Sequence, residues 1–385
     1  MKIAKSLSMV SLLLVVAFFS SSAMAQEDWI ELFNGKNLNG WSYVHDVSFD
    51  VHDGNMRLIK GMGWLRSDQL YDDFIMEFEC KALVEKYDSG FFFRSSITGK
   101  PWPDTGFQVN LRSDAMAYLV RGYRAMLKPK LEEIPMGEWM KLRLESKGEE
   151  ARLELNGKKI WEADFIEPEM GLIGIQAENR AFEFRNMRLQ EIGYTNLLAG
   201  EGKDLKHLTI QAGEKDAWSL KDGVLTCKGK EGGWIRTKTD DYGDFILKLD
   251  FMVPKEGNSG VYIRTPKEGD GAYTGMEIQI LDDDAKHWGE LQAWQKTGSI
   301  YHEIAPSVRA TKKAGDWQSM MIKAEKSQIT IYVNGVQIVD ADLDKHVKSS
   351  TDSKALKDRP RTGHIGFQNY DGNIQYRNVR VKQLK

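Results

Sequence analysis

In the run Met276-Glu277-Ile278-Gln279-Ile280, every second residue is apolar. Side chains alternate between the two faces of a β-strand, so Met276, Ile278 and Ile280 turn to a core while Glu277 and Gln279 turn away from it. Two other runs alternate in the same way. Residues 260–264 send Val261 and Ile263 inward and Tyr262 and Arg264 outward, and residues 364–368 send Ile365 and Phe367 inward and Gln368 outward. Side by side in one sheet, Tyr262, Arg264, Glu277, Gln279 and Gln368 form a polar floor of the kind that binds sugar hydroxyls. Glu277 is the one carboxylate among them, and so the one group suited to accept a proton.

The elements that must hold this floor occur twice in the chain. Gly63-Trp64-Leu65-Arg66 returns as Gly233-Trp234-Ile235-Arg236, and Ser89-Gly90-Phe91-Phe92-Phe93-Arg94 returns as Ser259-Gly260-Val261-Tyr262-Ile263-Arg264. Asp73-Phe74-Ile75, Thr105-Gly106, Asn156-Gly157, Gly174-Ile175-Gln176 and Arg185-Asn186 all have later counterparts in the same order. Conserved order with widening spacing marks a duplicated domain with loop insertions. The later copy carries a polar insertion over residues 346–361 that reads as a surface loop. Between the copies, Arg94 matches Arg264, Phe92 matches Tyr262, Asn110 matches Gln279 and Gln176 matches Gln368, but Gln108 stands where the second copy has Glu277. A carboxamide can bind a hydroxyl but cannot act as a base. The second copy is therefore the reactive one, and the first a binder or structural partner.

Short alternating runs separated by Asp-Gly and Asn-Gly turns, with no long amphipathic helix, give an all-β chain. Each copy reads as a jelly-roll β-sandwich, the first over residues 26–192 and the second over 193–385. Residues 1–25 read as a secretory signal peptide: Lys2 and Lys5, an apolar run too short to span a bilayer, then Ala23-Met24-Ala25. The mature protein is then expected outside the cytoplasm, in the periplasm, with no membrane-spanning segment. The 385-residue chain has a formal net charge of −3, and its leader contains two lysines and no acid, so the mature part is more negative. No basic block is present to release counterions from a nucleic acid. Cys80 and Cys227 fall at non-equivalent positions and read as buried, unpaired thiols.

Taken together, the 259–264 and 275–282 runs, Thr297-Gly298-Ser299-Ile300-Tyr301, Asp316-Trp317, Val333-Asn334-Gly335, Gly366-Phe367-Gln368 and Tyr376-Arg377-Asn378 resemble the 3-keto-disaccharide hydrolase family. The resemblance covers nearly all of the second copy and, more weakly, the first; residues 117–130 match poorly. It implies two tandem concanavalin A-like sandwiches and a 3-oxo-glycoside substrate made by a partner oxidoreductase. A ketone at C3 acidifies the C2 hydrogen, so a base can remove it, the C1 aglycone can leave, and water can add to the enone. On this reading Glu277 is the base, and Arg264 stabilises the enolate because it stays charged. Tyr301 or His302 protonates the leaving oxygen, while Tyr262, Gln279 and Gln368 hold hydroxyls.

Three other readings compete. A conventional two-carboxylate glycosidase would need a second acid two residues after Glu277, where Gln279 stands and cannot act as nucleophile. A non-catalytic carbohydrate-binding or adhesion module would use the same floor without turnover. No cofactor is required by the elimination route, but Asp282 and Asp283 offer hard oxygen ligands for a divalent cation that could polarise the C3 carbonyl instead.

Overall fold

The computed structural model describes residues 29–202, 204–212, 216–229 and 233–385. The leader expected over 1–25 lies outside the described residues. The described part is almost entirely antiparallel β-structure, and strands from before residue 192 never share a sheet with strands from after it.

The second copy is a two-layer sandwich. One layer has at its centre Phe245–Met252, flanked by Gln318–Glu325 and Gln375–Gln383. The other runs in the order Leu208–Ala212, Trp234–Thr237, His364–Gln368, Asn258–Thr265, Met276–Leu281. Leu247, Leu249, Phe251 and Ile322 from the first layer meet Val261, Ile263, Met276, Ile278, Ile280, Ile365 and Phe367 from the second in a single buried cluster. The alternation read from the sequence thus places the apolar faces correctly. Burying each such side chain contributes about 1.5–3 kcal/mol, which fixes the register, since a one-residue slip would turn the whole apolar set to solvent.

The first copy repeats this plan with one difference. Its Asn55–Tyr71 strand pairs with Phe182–Glu191 near its start and with Gly171–Glu178 farther on, and so passes from one layer to the other. Gly61, at φ 120°, sits on this crossing; a Cβ there would come within 2.2 Å of the Asp46 carbonyl oxygen. The result is one continuous thirteen-stranded sheet folded over its own core. Cys80 and Cys227 are free and buried, and burial pushes the Cys227 thiol up to about 11.

The copies pack through charge. In the Phe245–Met252 strand, Lys248 lies on the face opposite the core and is fully buried. Its Nζ donates to Asp72 Oδ1 at 3.2 Å and to Glu191 Oε1 at 2.5 Å. Lys382 also donates to Asp72, Arg380 pairs with Glu191, and the Tyr194 hydroxyl donates to Asp72. At the other end of the contact, the Asn334-Gly335 turn lies against Arg66 and Leu172 of the first copy.

Candidate active site

Strand register builds the site in rows. Met276–Leu281 pairs with Asn258–Thr265 so that Glu277 faces Tyr262 and Gln279 faces Gly260. Tyr262 in turn faces Gly366, and Gln368 faces Trp234 on the next strand. Beyond Met276–Leu281 the sheet is extended by residues 299–301: the Gln279 N–H donates to Ser299 O at 3.1 Å, and the Tyr301 N–H donates to Glu277 O at 2.9 Å. Gly366, Tyr262, Glu277 and Tyr301 therefore lie in one line across three strands and the bridged 299–301 segment, on the face away from the core.

Two glycines in this floor make room for its side chains. A Cβ at Gly260 would sit 2.1 Å from Glu277 Oε1, so the carboxylate lies across the bare backbone of the neighbouring strand. A Cβ at Gly366 would sit 2.3 Å from the Trp234 ring, which covers that position instead. Trp234 meets Tyr262 edge-on at 5.3 Å, and the Gln368 Nε2 donates to the Tyr262 hydroxyl at 2.9 Å. Trp234, Tyr262 and Ala272 form a small buried cluster with Tyr273 and Tyr301 against it. His302 stands at its edge, stacked on Trp294 at 3.8 Å and edge-on to Tyr301 at 4.6 Å.

Electrostatics single out Glu277. It is 3% exposed, and its carboxylate makes no hydrogen bond among the described residues. Burial, reinforced by the nearby negative charge of Asp270, pushes its pKa up to about 8. Burial and then Glu277 push the Tyr301 hydroxyl up to about 12, which keeps it a proton donor. Burial also raises Tyr262 and lowers His302. Gln279 shares the face, but its Oε1 turns back to accept the Ile280 N–H at 2.8 Å.

Arg264 does not belong to this site, contrary to the expectation from alternation. Alternation holds through Ile263 and then breaks: Arg264 takes φ 49°, and the ladder with His364–Gln368 shifts between Tyr262 and Thr265. Its fully buried guanidinium donates to Gly243 O, Lys326 O and Asp244 Oδ1. Arg94 does the same work in the first copy, donating to Gly148 O and Asp73 Oδ1 from φ 50°. The duplicated arginine is a clamp on a turn.

Asp282 and Asp283, the candidate cation ligands, are engaged in other bonds. Asp282 accepts the N–H groups of Glu256 and Asp284, Asp283 accepts the N–H and hydroxyl of Thr297, and Asp284 is held by Arg309. These oxygens are engaged separately in shaping a loop, and no group of three candidate ligands converges among the described residues.

Comparisons with known proteins identify the family of both copies. The sequence model of the 3-keto-alpha-glucoside-1,2-lyase-like domain matches residues 28–190 and again 193–382. The chain belongs to this family. A 3-keto-disaccharide hydrolase of Bacteroides thetaiotaomicron is 25% identical over 205 residues, covering 43% of this chain and 70% of the relative. A solved structure from Parabacteroides distasonis, provisionally described as a glycosyl hydrolase, is 30% identical and covers 50% of this chain and 99% of its own, with a TM-score of 0.44. A second from the same organism is 26% identical, covering 50% and 94%, with a TM-score of 0.43.

The two lyase-like domains differ at the site. In the first, Gln108 lies across Gly90 as Glu277 lies across Gly260, and it donates to Gln176. Trp102 and Phe92 pack with Trp64 and Leu172 in an apolar cluster there. The second domain carries a residue the alternation argument missed. Asp270 caps the one-turn helix Gly271–Thr274 by accepting the Ala272 N–H at 3.0 Å, and Gly271 presses on the Tyr262 ring. The first domain has Lys100 after Gly99 where the second has Asp270 after Gly269, so a comparison of the copies outside the strands would have flagged it. Replacing Asp270 by Asn removes a charge that raises Glu277, so the titration midpoint of Glu277, read from the pH dependence of kcat/KM, moves to lower pH. An unmoved midpoint would show that burial alone sets it.

Proposed function

We propose that the second lyase-like domain cleaves 3-oxo-glycosides by elimination and hydration. The observation that carries this reading is Glu277: one buried carboxylate, unpaired among the described residues and with a raised pKa, on a floor of aromatic and amide groups. A base near pKa 8 suits removal of a carbon-bound proton better than an ordinary carboxylate does, because base strength rises with pKa. Glu277 takes the C2 proton, and the electron pair forms the C1–C2 double bond as the C1–O bond breaks. Tyr301, kept protonated, supplies the proton to the leaving oxygen, with His302 at the rim as the alternative donor. In place of Arg264, the Tyr262 hydroxyl, itself held by Gln368, donates to the oxygen at C3 as charge develops there. Water then adds across the enone, placing hydroxyl on C1 and a proton on C2.

Two consequences follow for the cellular setting. The substrate requires an oxidoreductase that converts a sugar C3 hydroxyl to a ketone, and a cleavable leader read over residues 1–25 supports a periplasmic setting for the cleavage. The purified protein incubated with a 3-oxo-glucoside in heavy water releases aglycone and yields 3-oxo-glucose carrying deuterium at C2, followed by NMR. Aglycone release with no deuterium at C2 would rule out the elimination route, and release from an unoxidised glucoside would favour a conventional glycosidase.

A further inference from the structure

The insertion over residues 346–361, expected as a surface loop and without counterpart in the first domain, is partly built into the second domain. Leu356 is fully buried in the main core, and Arg359 is 3% exposed. The Arg359 guanidinium spends its donors on three different segments. Nε donates to Lys354 O at 2.9 Å, shaping the insertion itself. Nη1 donates to Ala272 O and Gly275 O, each at 3.0 Å, gripping the turn that carries Asp270 and Tyr273. Nη2 donates to Glu303 and to Ser353 Oγ, tying in the segment that carries Tyr301 and His302. Ser349 donates to the same Glu303 carboxylate, and the Ser350 hydroxyl to the His302 carbonyl.

We infer that Arg359 is a positioning residue for the Glu277 site, holding the Asp270–Tyr273 turn and the Tyr301–His302 segment in register against it. Lysine cannot replace it, because one ammonium cannot reach five acceptors spread over a planar fork. The first domain has neither Glu277 nor this insertion, so base and buttress occur together. Both gripped segments present charge or protons to Glu277. Asp270, Tyr262, Tyr273, Tyr301 and Tyr376 are the titratable groups that interact with it, and a drift of about 1 Å in the two gripped segments is enough to cost about 100-fold in rate. The inference rests on the proposed cleavage of 3-oxo-glycosides.

The test uses the full chain with R359K and E303Q. Turnover of a 3-oxo-glucoside is measured across pH, with the unfolding midpoint, and Glu277 is titrated by carboxyl carbon NMR, assigned by difference from E277Q. R359K is expected to lower kcat about 100-fold with a much smaller change in KM, to shift the Glu277 titration to lower pH as Asp270 draws away, and to lower the unfolding midpoint while remaining folded at the assay temperature. A kcat within threefold of wild type, or an unmoved Glu277 titration in a folded variant, overturns the inference. If R359K fails to fold, E303Q, which loosens the Tyr301–His302 segment from Arg359 and Ser349 while Arg359 keeps its grip on Ala272 and Gly275, must lower kcat at least tenfold, and a smaller loss overturns it. If the wild-type protein leaves 3-oxo-glucosides untouched, the proposed function fails on its own, while the NMR titration still decides the role of Arg359.

Discussion

Glu277→Gln lowers kcat on a 3-oxo-glucoside by about 10²–10⁴-fold, the usual contribution of a positioned general base, and leaves the fold unchanged. The fold is expected to survive because the first domain already contains this arrangement. Gln108 occupies the equivalent position, with its amide over Gly90 as the Glu277 carboxylate lies over Gly260. The substitution keeps shape and hydrogen-bonding reach and removes the ability to take a proton. The pH profile gives the sign of the role. With its pKa at about 8, Glu277 is about one-tenth ionised at pH 7. If it is the base, kcat/KM of the wild-type protein rises with pH and levels off above about 8, and E277Q loses that rise. A rate that falls through the same range would make Glu277 the acid, and E277Q retaining more than a tenth of wild-type turnover would remove it from the chemistry.

The contrast between the copies divides scaffold from site more sharply than either copy alone. Arg94 and Arg264 recur together with Asp73 and Asp244, and in the structure each arginine clamps its own aspartate and a turn carbonyl. Their recurrence was a signature of architecture. The alternation rule misplaced Arg264 because it assumes extended backbone, and the left-handed residue at the strand end is set by a tertiary bond to Lys326 O that no local pattern announces. Interior strand positions were legible, as the burial of Val261, Ile263, Ile278, Ile365 and Phe367 attests, because burial enforces strict period-two order. Asp270 and Arg359 were not. Both lie outside the strands, in segments the first domain replaces or lacks, and their roles depend on which loops the sandwich brings to the same edge. Glu277 was found because it sits on a strand and differs between copies, and those two properties together are what a sequence can show.

Lys248→Ala lowers the stability of the full chain by about 3–5 kcal/mol, the usual cost of removing one member of a buried ion pair. Lys248 is fully buried on the outer face of its strand, and its ammonium lies between Asp72 of the first domain and Glu191 at the junction. Lys382 and Arg380 also reach these acids, so each keeps a second partner, but neither replaces the ammonium inside the contact. Burial would raise Asp72, yet Lys248 and Lys382 overcome it and hold the carboxyl at about 2. The sign of the pH dependence follows. A carboxyl depressed in the folded state contributes its full stability above its unfolded value of about 3.9 and loses it as pH falls through the folded value. The gap between wild type and Lys248→Ala is therefore widest near neutrality and narrows between about pH 4 and pH 2. Urea unfolding followed by tryptophan fluorescence at several pH values measures it. A neutral-pH loss below about 1 kcal/mol, the scale of an exposed pair, would mean that the charges do not hold the two domains together.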